Sequence, residues 1–416
     1  MRNKTRKTTS VCAGLLLMAG TAAAQNMADT AQFKPGGKLW GYAFGDYAYK
    51  AHADSVGSGA AAYSKGRGGG NQYTNMAPNT NMFQFRRIYL GYNYDISKKF
   101  SAEFVLAAED DFNGGIDNQN AGDVLQDGKF SPYIKIANLR WKNLWKGTDL
   151  VIGQSNTPAY AKQGPNNQTA EELWSYRSVE RTVADIRRTP SFDMGVSLQG
   201  HLPKNDNYGY TLMVGNGQAA RVENDAFKWF YGDVFAKFLD KKLVVDLYAD
   251  YQKMVWNADW HNDRQMVKLF VGYTVPKFTV GVEAMMNRVM GDVFATRTGG
   301  GVDTLTSKAT AISVFARAPI VKDKVTAFAR VDMYNPAGNI DNAKYSGYTE
   351  QRVGQYDVNN KEMFMTAGLD FTPIKNVHII PNIWYNTYSF TGQQTAARPD
   401  GYDMVYRLTF HYVYGK

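Results

Sequence analysis

The chain has 416 residues and a formal net charge of +9, with 47 Lys and Arg against 38 Asp and Glu. Its single cysteine, Cys12, lies in the first 24 residues, so the rest of the chain has no disulfide, cysteine nucleophile or thiolate metal site. After those residues no apolar run approaches the roughly 18 residues of a membrane-spanning helix, which excludes a helical membrane protein.

Residues 1–24 have the pattern of a secretory signal peptide. Four basic residues precede an apolar run at 11–23, which ends in the small-residue cleavage pattern at 22–24. We expect export with removal of residues 1–24, a short N-terminal segment at 25–37 and one domain at 38–416. Removing the signal takes four basic and no acidic residues and leaves a charge of +5. That mild charge gives little support for a nucleic-acid partner.

Segments with strict apolar–polar alternation recur almost throughout the chain, and most are about 9 to 13 residues long. A tilted strand needs about this length to cross a bilayer. In the cleanest examples, 243–252, 277–287 and 325–334, one face is wholly apolar. The last segment, 405–414, alternates with four aromatic residues on its apolar face, which resembles the assembly signal of outer-membrane barrels.

The connections between these segments alternate between long and short. The long, glycine-rich stretch 51–81 is followed by the short turn 96–99, and the long stretch 110–131 by the short turn 143–147. Outer-membrane barrels show this pattern, with short periplasmic turns and long outer loops. Unpaired backbone groups in hydrocarbon cost several kcal/mol each, so such strands must close on themselves. We predict an all-β fold, a transmembrane antiparallel β-barrel of about sixteen strands, near 39–50, 82–95, 100–109, 132–141, 148–154, 190–200, 208–216, 227–238, 243–254, 264–274, 277–290, 309–318, 325–335, 361–372, 377–389 and 402–414.

One connection, 155–189, breaks the two-residue period. Within it, 171–188 has apolar residues three or four positions apart after the possible N-cap Thr169, which predicts a short helix in the third outer loop. General porins fold a segment from this position into the lumen. Its balanced charges could set a field across a constriction, or could form salt bridges on a surface helix. The predicted constriction residues are Arg177, Arg181, Arg187, Arg188, Glu180 and Asp185.

Short motifs resemble the phosphate-selective porin O and P family. Residues 85–92 read FRRIYLGY and 100–104 read FSAEF, and both are similar to the family's second hairpin. Residues 149–154 resemble the strand that enters its third loop, and 376–382 resemble its penultimate strand. The resemblance implies a sixteen-stranded porin, usually trimeric, with a narrowed lumen lined by basic residues.

The polar faces of the predicted strands would line the lumen. They carry at least as many carboxylates as cations, which does not favour a strong preference for phosphate, because rings of like charge set ion selectivity. The predicted lumen-lining residues are Arg87, Glu103, Lys237, Asp246, Lys268, Glu283, Arg330, Asp332 and Arg407.

No motif for catalysis, metal binding or a cofactor stands out. The five histidines are far apart and lack metal-ligand spacing, and no nucleotide-binding loop is present. We therefore predict a non-enzymatic porin in the Gram-negative outer membrane, in contact with its lipid and forming a homotrimer. It would let small hydrophilic solutes and ions, including anions such as phosphate, diffuse passively. The alternative is an adhesion or ligand-binding barrel that acts through its large outer loops.

Overall fold

The computed structural model describes residues 33–53, 78–109, 132–159, 190–223, 225–256, 261–350, 360–390 and 401–415. These residues form an antiparallel sheet of seventeen strands. Among them no helix is long and apolar enough to cross a membrane. The strands are β1 Gly36–His52, β2 Asn81–Asp95, β3 Phe100–Glu109, β4 Tyr133–Trp145, β5 Thr148–Asn156, β6 Phe192–Leu202, β7 Asn205–Gly215, β8 Trp229–Phe238, β9 Leu243–Trp256, β10 His261–Val275, β11 Phe278–Arg297, β12 Val302–Val321, β13 Val325–Asn335, β14 Tyr345–Glu350, β15 Asn360–Ile374, β16 Val377–Phe390 and β17 Tyr402–Tyr414.

Sixteen of these strands close into a barrel. Each pairs with its neighbours along the chain, and β1 pairs with both β2 and β17. The pairing of β1 with β17 closes the barrel and runs from Gly41 opposite Tyr414 to His52 opposite Met404. The exception is β14, which pairs with the far end of β11, while β13 pairs directly with β15. Closure leaves the barrel without an open edge, as a sheet in hydrocarbon requires.

The alternation in the sequence separates the two faces of the wall. On β9, Leu247 faces outward and is 47% exposed, whereas Asp246, directly before it, faces inward and is 1% exposed. The same pattern repeats on β11, β12 and β13, where exposed apolar residues alternate with buried polar and aromatic ones. The outside of the barrel is therefore an apolar belt that suits lipid, and the charged side chains point inward.

The two ends of the barrel differ in their connections. We call one the turn end, because its neighbouring strands are joined by short turns such as 146–147, 276–277 and 375–376, and the other the loop end. In the last of these turns Asn376 has a φ of 70°, a left-handed conformation that asparagine tolerates. The alternation of short and long connections was predicted from the sequence, and so was the closed sixteen-stranded barrel; both are confirmed.

The structure differs from the sequence prediction mainly in one hairpin. Strands β11 and β12 extend to Arg297 and back from Val302, whereas the predicted strands ended at residue 290 and resumed at residue 309. The short strand β14 was not predicted, and β1 begins at Gly36, two residues before the predicted domain boundary. The predicted signal peptide at 1–24 and the predicted helix at 171–188 lie outside the described residues.

Candidate functional site

The nine residues predicted to line the lumen all belong to the inward-facing set. Arg87 and Glu103 are half-buried, and the other seven are buried, at 5% exposure or less. Their contribution to a pore remains a prediction. The six predicted constriction residues, Arg177, Arg181, Arg187, Arg188, Glu180 and Asp185, lie outside the described residues.

A buried carboxylate joins three strands at the closure of the barrel. Asp46 on β1 accepts hydrogen bonds from Arg86 Nη1 on β2 at 3.1 Å and from Arg407 Nη2 on β17 at 2.6 Å. The hydroxyl of Thr409 also donates to Asp46. Two guanidinium groups and one carboxylate make the cluster positive by one charge, and its four side chains are at most 4% exposed.

An indole ring packs against the same two arginines. The Arg407 guanidinium carbon lies 3.9 Å from the Trp384 ring centroid, and that of Arg86 lies 5.0 Å away. Phe364 meets Trp384 edge to face at 5.3 Å. Cation–π contacts of this kind fix the guanidinium planes without neutralising their charge.

The sequence analysis did not include Asp46, Arg86 and Trp384 among the predicted lumen-lining residues. Strict alternation allows only one of the neighbouring pair Arg86 and Arg87 to face inward. The register between β1 and β2 shifts by one residue at this point, because Arg87 pairs with Phe44 while Phe85 pairs with Gly45. This β-bulge directs both arginines inward. The Arg-Arg doublet was the available signal, since two adjacent charges on a lipid-facing strand require such a shift.

A similar bulge occurs between β3 and β4. Val105 pairs with Ile136 and Leu106 with Ile134, so Lys135 and Ile136 are both buried. The Gln154 side chain on β5 donates to the carbonyl oxygens of Ile134 at 2.8 Å and Lys135 at 3.0 Å. The backbone groups released by the bulge are thereby satisfied.

Lys135 belongs to a second charged cluster, on β2, β3 and β4. Glu109 accepts hydrogen bonds from Lys135 Nζ at 2.5 Å and from the Tyr133 hydroxyl at 3.1 Å, and Arg87 Nε lies 3.4 Å from it. Two cations thus share one carboxylate. Nearer the turn end, Arg140 on β4 pairs with Asp149 on β5 at 3.0 Å.

A third set of charges spans β9 to β13. Lys268 pairs with Glu283 at 3.0 Å, and Arg330 pairs with Asp332 at 2.5 Å. Asp246 on β9 is opposite Phe270, which is opposite Glu283. Glu283 is opposite Ser313, which is opposite Asp332, so the three acidic residues follow one line across the wall. Ion pairs between neighbouring strands on an inner face stabilise the wall only when both partners are present.

The third outer connection begins on the inside of the barrel. Residues 157–159 are buried, and Ala159 belongs to an apolar cluster formed by inward side chains of β7 to β13, including Met213, Trp229 and Tyr248. Thr157 N donates to Ser191 O at 3.0 Å and its hydroxyl to Pro190 O at 2.6 Å, which ties the two ends of the connection together. The described start of the connection, residues 157–159, therefore lies on the inner side of the wall.

The chemistry of this interior is that of mixed charges and aromatic rings. Among the described residues no group of three or more His, Cys, Asp or Glu side chains could hold a metal ion. His378 contacts Asp370 at 2.9 Å and lies 5.4 Å, centroid to centroid, from His411. The arrangement can interact with water and with small charged solutes.

A closed antiparallel barrel with an apolar exterior and a charged interior defines the architecture of the outer-membrane β-barrels. Solved structures share it. OmpT, an outer membrane protein of Vibrio cholerae folded in vitro and in its trimer form, matches 92% of this chain and 100% of its own with a TM-score of 0.54 and 10% identity. Salmonella typhi OmpF in complex with daunomycin matches 91% and 98% with a TM-score of 0.50 and 9% identity. At these identities the likeness concerns the fold. No protein-family model matches the chain, and no curated protein matches it.

Proposed function

We propose that this chain forms a water-filled channel through the outer membrane of a Gram-negative cell, through which small hydrophilic solutes and ions diffuse passively. The observation that carries the proposal is the closed barrel of sixteen strands with charged side chains inside and an apolar belt outside. Barrels of sixteen to eighteen strands are wide enough to leave an aqueous channel. The proposal assigns no catalytic step to the chain.

Planar lipid bilayers test this proposal directly. The folded barrel, added to one side of a bilayer in KCl solution, is expected to give stepwise conductance increases. The same preparation unfolded by heat is the control and should give none. A barrel that is folded by spectroscopic criteria but never conducts would contradict the pore and favour the alternative, in which the large outer loops bind a ligand or a surface.

A separate question is whether the pore prefers phosphate to other ions. The resemblance of residues 85–92 and 100–104 to the phosphate-selective porin O and P family makes phosphate a candidate solute. The interior argues for a weaker preference, since the arginines and lysines around Asp46 and Glu109 are accompanied on the same inner wall by buried carboxylates such as Asp193, Asp246 and Glu362. We therefore propose a weakly selective pore, through which anions such as phosphate pass together with other small ions. Micromolar phosphate should leave the chloride conductance unchanged, and a specific block at that concentration would instead favour the family function.

We also propose that three copies assemble and that the barrel lies in the outer membrane. The trimer form of OmpT from Vibrio cholerae, a protein of similar fold, supports both suggestions. Mass measurement of the detergent-solubilised barrel tests the trimer, and a monomeric mass across the concentration range would contradict it. Membrane fractionation of cells that express the chain tests the location.

A further inference from the structure

The ion pairs on the inner wall fall into two groups by their contact with water. One group is dry. In the pairs Lys50 with Asp403, Lys268 with Glu283 and Arg330 with Asp332, no side chain is more than 4% exposed. Both pairs formed by Asp46 are fully buried. The dry pairs lie on β1 and on β10, β11, β13 and β17, together with Arg86 at the β2 bulge.

The other group is partly exposed to water and lies on β2 to β5. The side chains of Arg87 and Glu109 are 16% and 17% exposed, and those of Arg140 and Asp149 are 30% and 28% exposed. Lys135, which shares Glu109 with Arg87, is itself buried, at 9% exposure, and borders the water through that shared carboxylate. Neutral neighbours on the same wall, Tyr133 and Asn138, are half-buried as well.

We propose that solutes cross the barrel along the wall formed by β2 to β5, and that Arg87, Glu109, Lys135, Arg140 and Asp149 set its ion preference. This inference rests on the proposed pore function. A diffusing ion needs a continuous path of water, so the side chains that it meets must themselves contact water. Dry ion pairs have no direct contact with the ion and act on it only at a distance.

The charges on this path are balanced in number: Arg87, Lys135 and Arg140 stand against Glu109, Asp149 and the half-buried Glu103, which accepts a hydrogen bond from Asn138. Their positions along the path therefore set the local potential that an ion meets. In the loop-end half two cations, Arg87 and Lys135, both contact the carboxylate of Glu109. In the turn-end half Arg140 balances Asp149. Lys135 is also held 4.8 Å above the Tyr89 ring and 4.9 Å above the Phe192 ring, so its charge is fixed in place beside the path.

Cysteine accessibility locates the path, because Cys12 is the only cysteine of the chain. In a Cys12→Ser background, Tyr133→Cys and Asn138→Cys place a thiol on the proposed path. Ser313→Cys and Thr366→Cys are the matched controls, since both residues face inward but are 1% and 4% exposed. A charged methanethiosulfonate reagent is added to conducting channels in a bilayer.

We expect the reagent to lower the conductance of the two path variants by roughly twofold or more and to leave the controls unchanged. A block of the controls with no effect on the path variants would overturn the proposed route. The conductance measured before the reagent is added distinguishes failure of the proposed pore function from failure of the proposed route. A folded chain without conductance contradicts the pore itself, whereas a conducting chain blocked from the other wall contradicts only the route.

Reversal potentials in a KCl gradient test the selectivity residues. Lys135→Gln should reduce the ratio of anion to cation permeability about twofold, and Glu109→Gln should raise it by a similar factor. The control is the double variant Arg330→Gln with Asp332→Asn, which removes a dry pair without leaving an unpaired charge. An equal shift in the control, or none in Lys135→Gln, would overturn the assignment.

Discussion

At the scale of single residues, Asp46 has the strongest consequence for stability. It lies between the guanidinium groups of Arg86 and Arg407, and none of the three is exposed to water by more than 4%. Asp46→Asn keeps the shape of the side chain but removes the carboxylate charge that faces two buried cations. Removing one partner of a buried ion pair costs about 3–5 kcal/mol, so we expect a loss of that size in the free energy of unfolding, measured by urea titration in lipid vesicles.

The matched control for this variant is Asp95→Asn. Asp95 pairs with Lys142 at 2.5 Å, but its side chain is 54% exposed, and exposed pairs contribute less than about 1 kcal/mol. Equal losses in the two variants would show that burial of the Asp46 cluster does not matter. The sequence alone could not have identified Asp46 as the centre of a cluster, because its partners are 40 and 361 residues away along the chain.

At the scale of elements, most strands could be predicted and the hairpin of β11 and β12 could be predicted only in part. Alternation of apolar and polar residues is a local property, so it located both strands within the barrel wall. Beyond the wall the outer face no longer needs to be apolar, and the pattern fades near residue 290. There the hairpin continues because Asp292 and Ser307 are hydrogen-bonded across it and β14 pairs with its β11 strand.

The tip of this hairpin is held by a charge pair that should respond to pH. Arg297 donates two hydrogen bonds to Asp303, one of them from Nε at 2.9 Å, and lowers the pKa of that carboxyl below its usual range. A lowered pKa in the folded state means that the stabilisation is complete above about pH 4 and is lost as the pH falls through the folded value. We expect the amide protection of the tip, corrected for intrinsic exchange, to fall between about pH 6 and about pH 3.

Asp303→Asn provides the comparison for the hairpin. In this variant the backbone amides of the hairpin tip should be less protected at both pH values. Their protection should no longer change with pH through the ionisation of residue 303. Amides within the wall, such as Val282, serve as an internal reference. Tip protection that stays constant on acidification of the unaltered chain would argue against a role for the pair of Arg297 and Asp303.

At the scale of the whole molecule, the number of barrel strands and, outside the bulges at Arg86 and Lys135, the direction of their side chains follow from the sequence, whereas the asymmetry of the interior does not. The wall pattern identifies Arg330 and Arg87 alike as inward residues. Only the folded barrel shows that the first is dry and that the second contacts water. Burial inside a barrel depends on what packs against each wall from across the lumen, and that is not a local property of a strand.

Closure of the barrel depends on the seam between β1 and its two neighbours, and glycine makes the close approach possible there. A Cβ atom at Gly41 would lie 2.3 Å from the Tyr414 ring on β17 and 2.4 Å from the carbonyl oxygen of Tyr89 on β2. The tyrosine could rotate away, but the backbone oxygen belongs to the β1–β2 ladder and cannot move without breaking it. Since every strand is held through its neighbours, a gap at the seam would expose two unpaired edges.

We therefore expect Gly41→Val to prevent closure, seen as loss of the compact, unheated band in SDS gels and loss of conductance. Gly36→Val on the same strand is the control, because no atom lies within 4 Å of a Cβ at that position. Gly36→Val should fold as the unaltered chain does, which would exclude a general effect of valine on β1. If Gly41→Val folds and conducts normally, the seam must tolerate a shift larger than its close contacts allow, and the barrel cannot be as tightly closed as described.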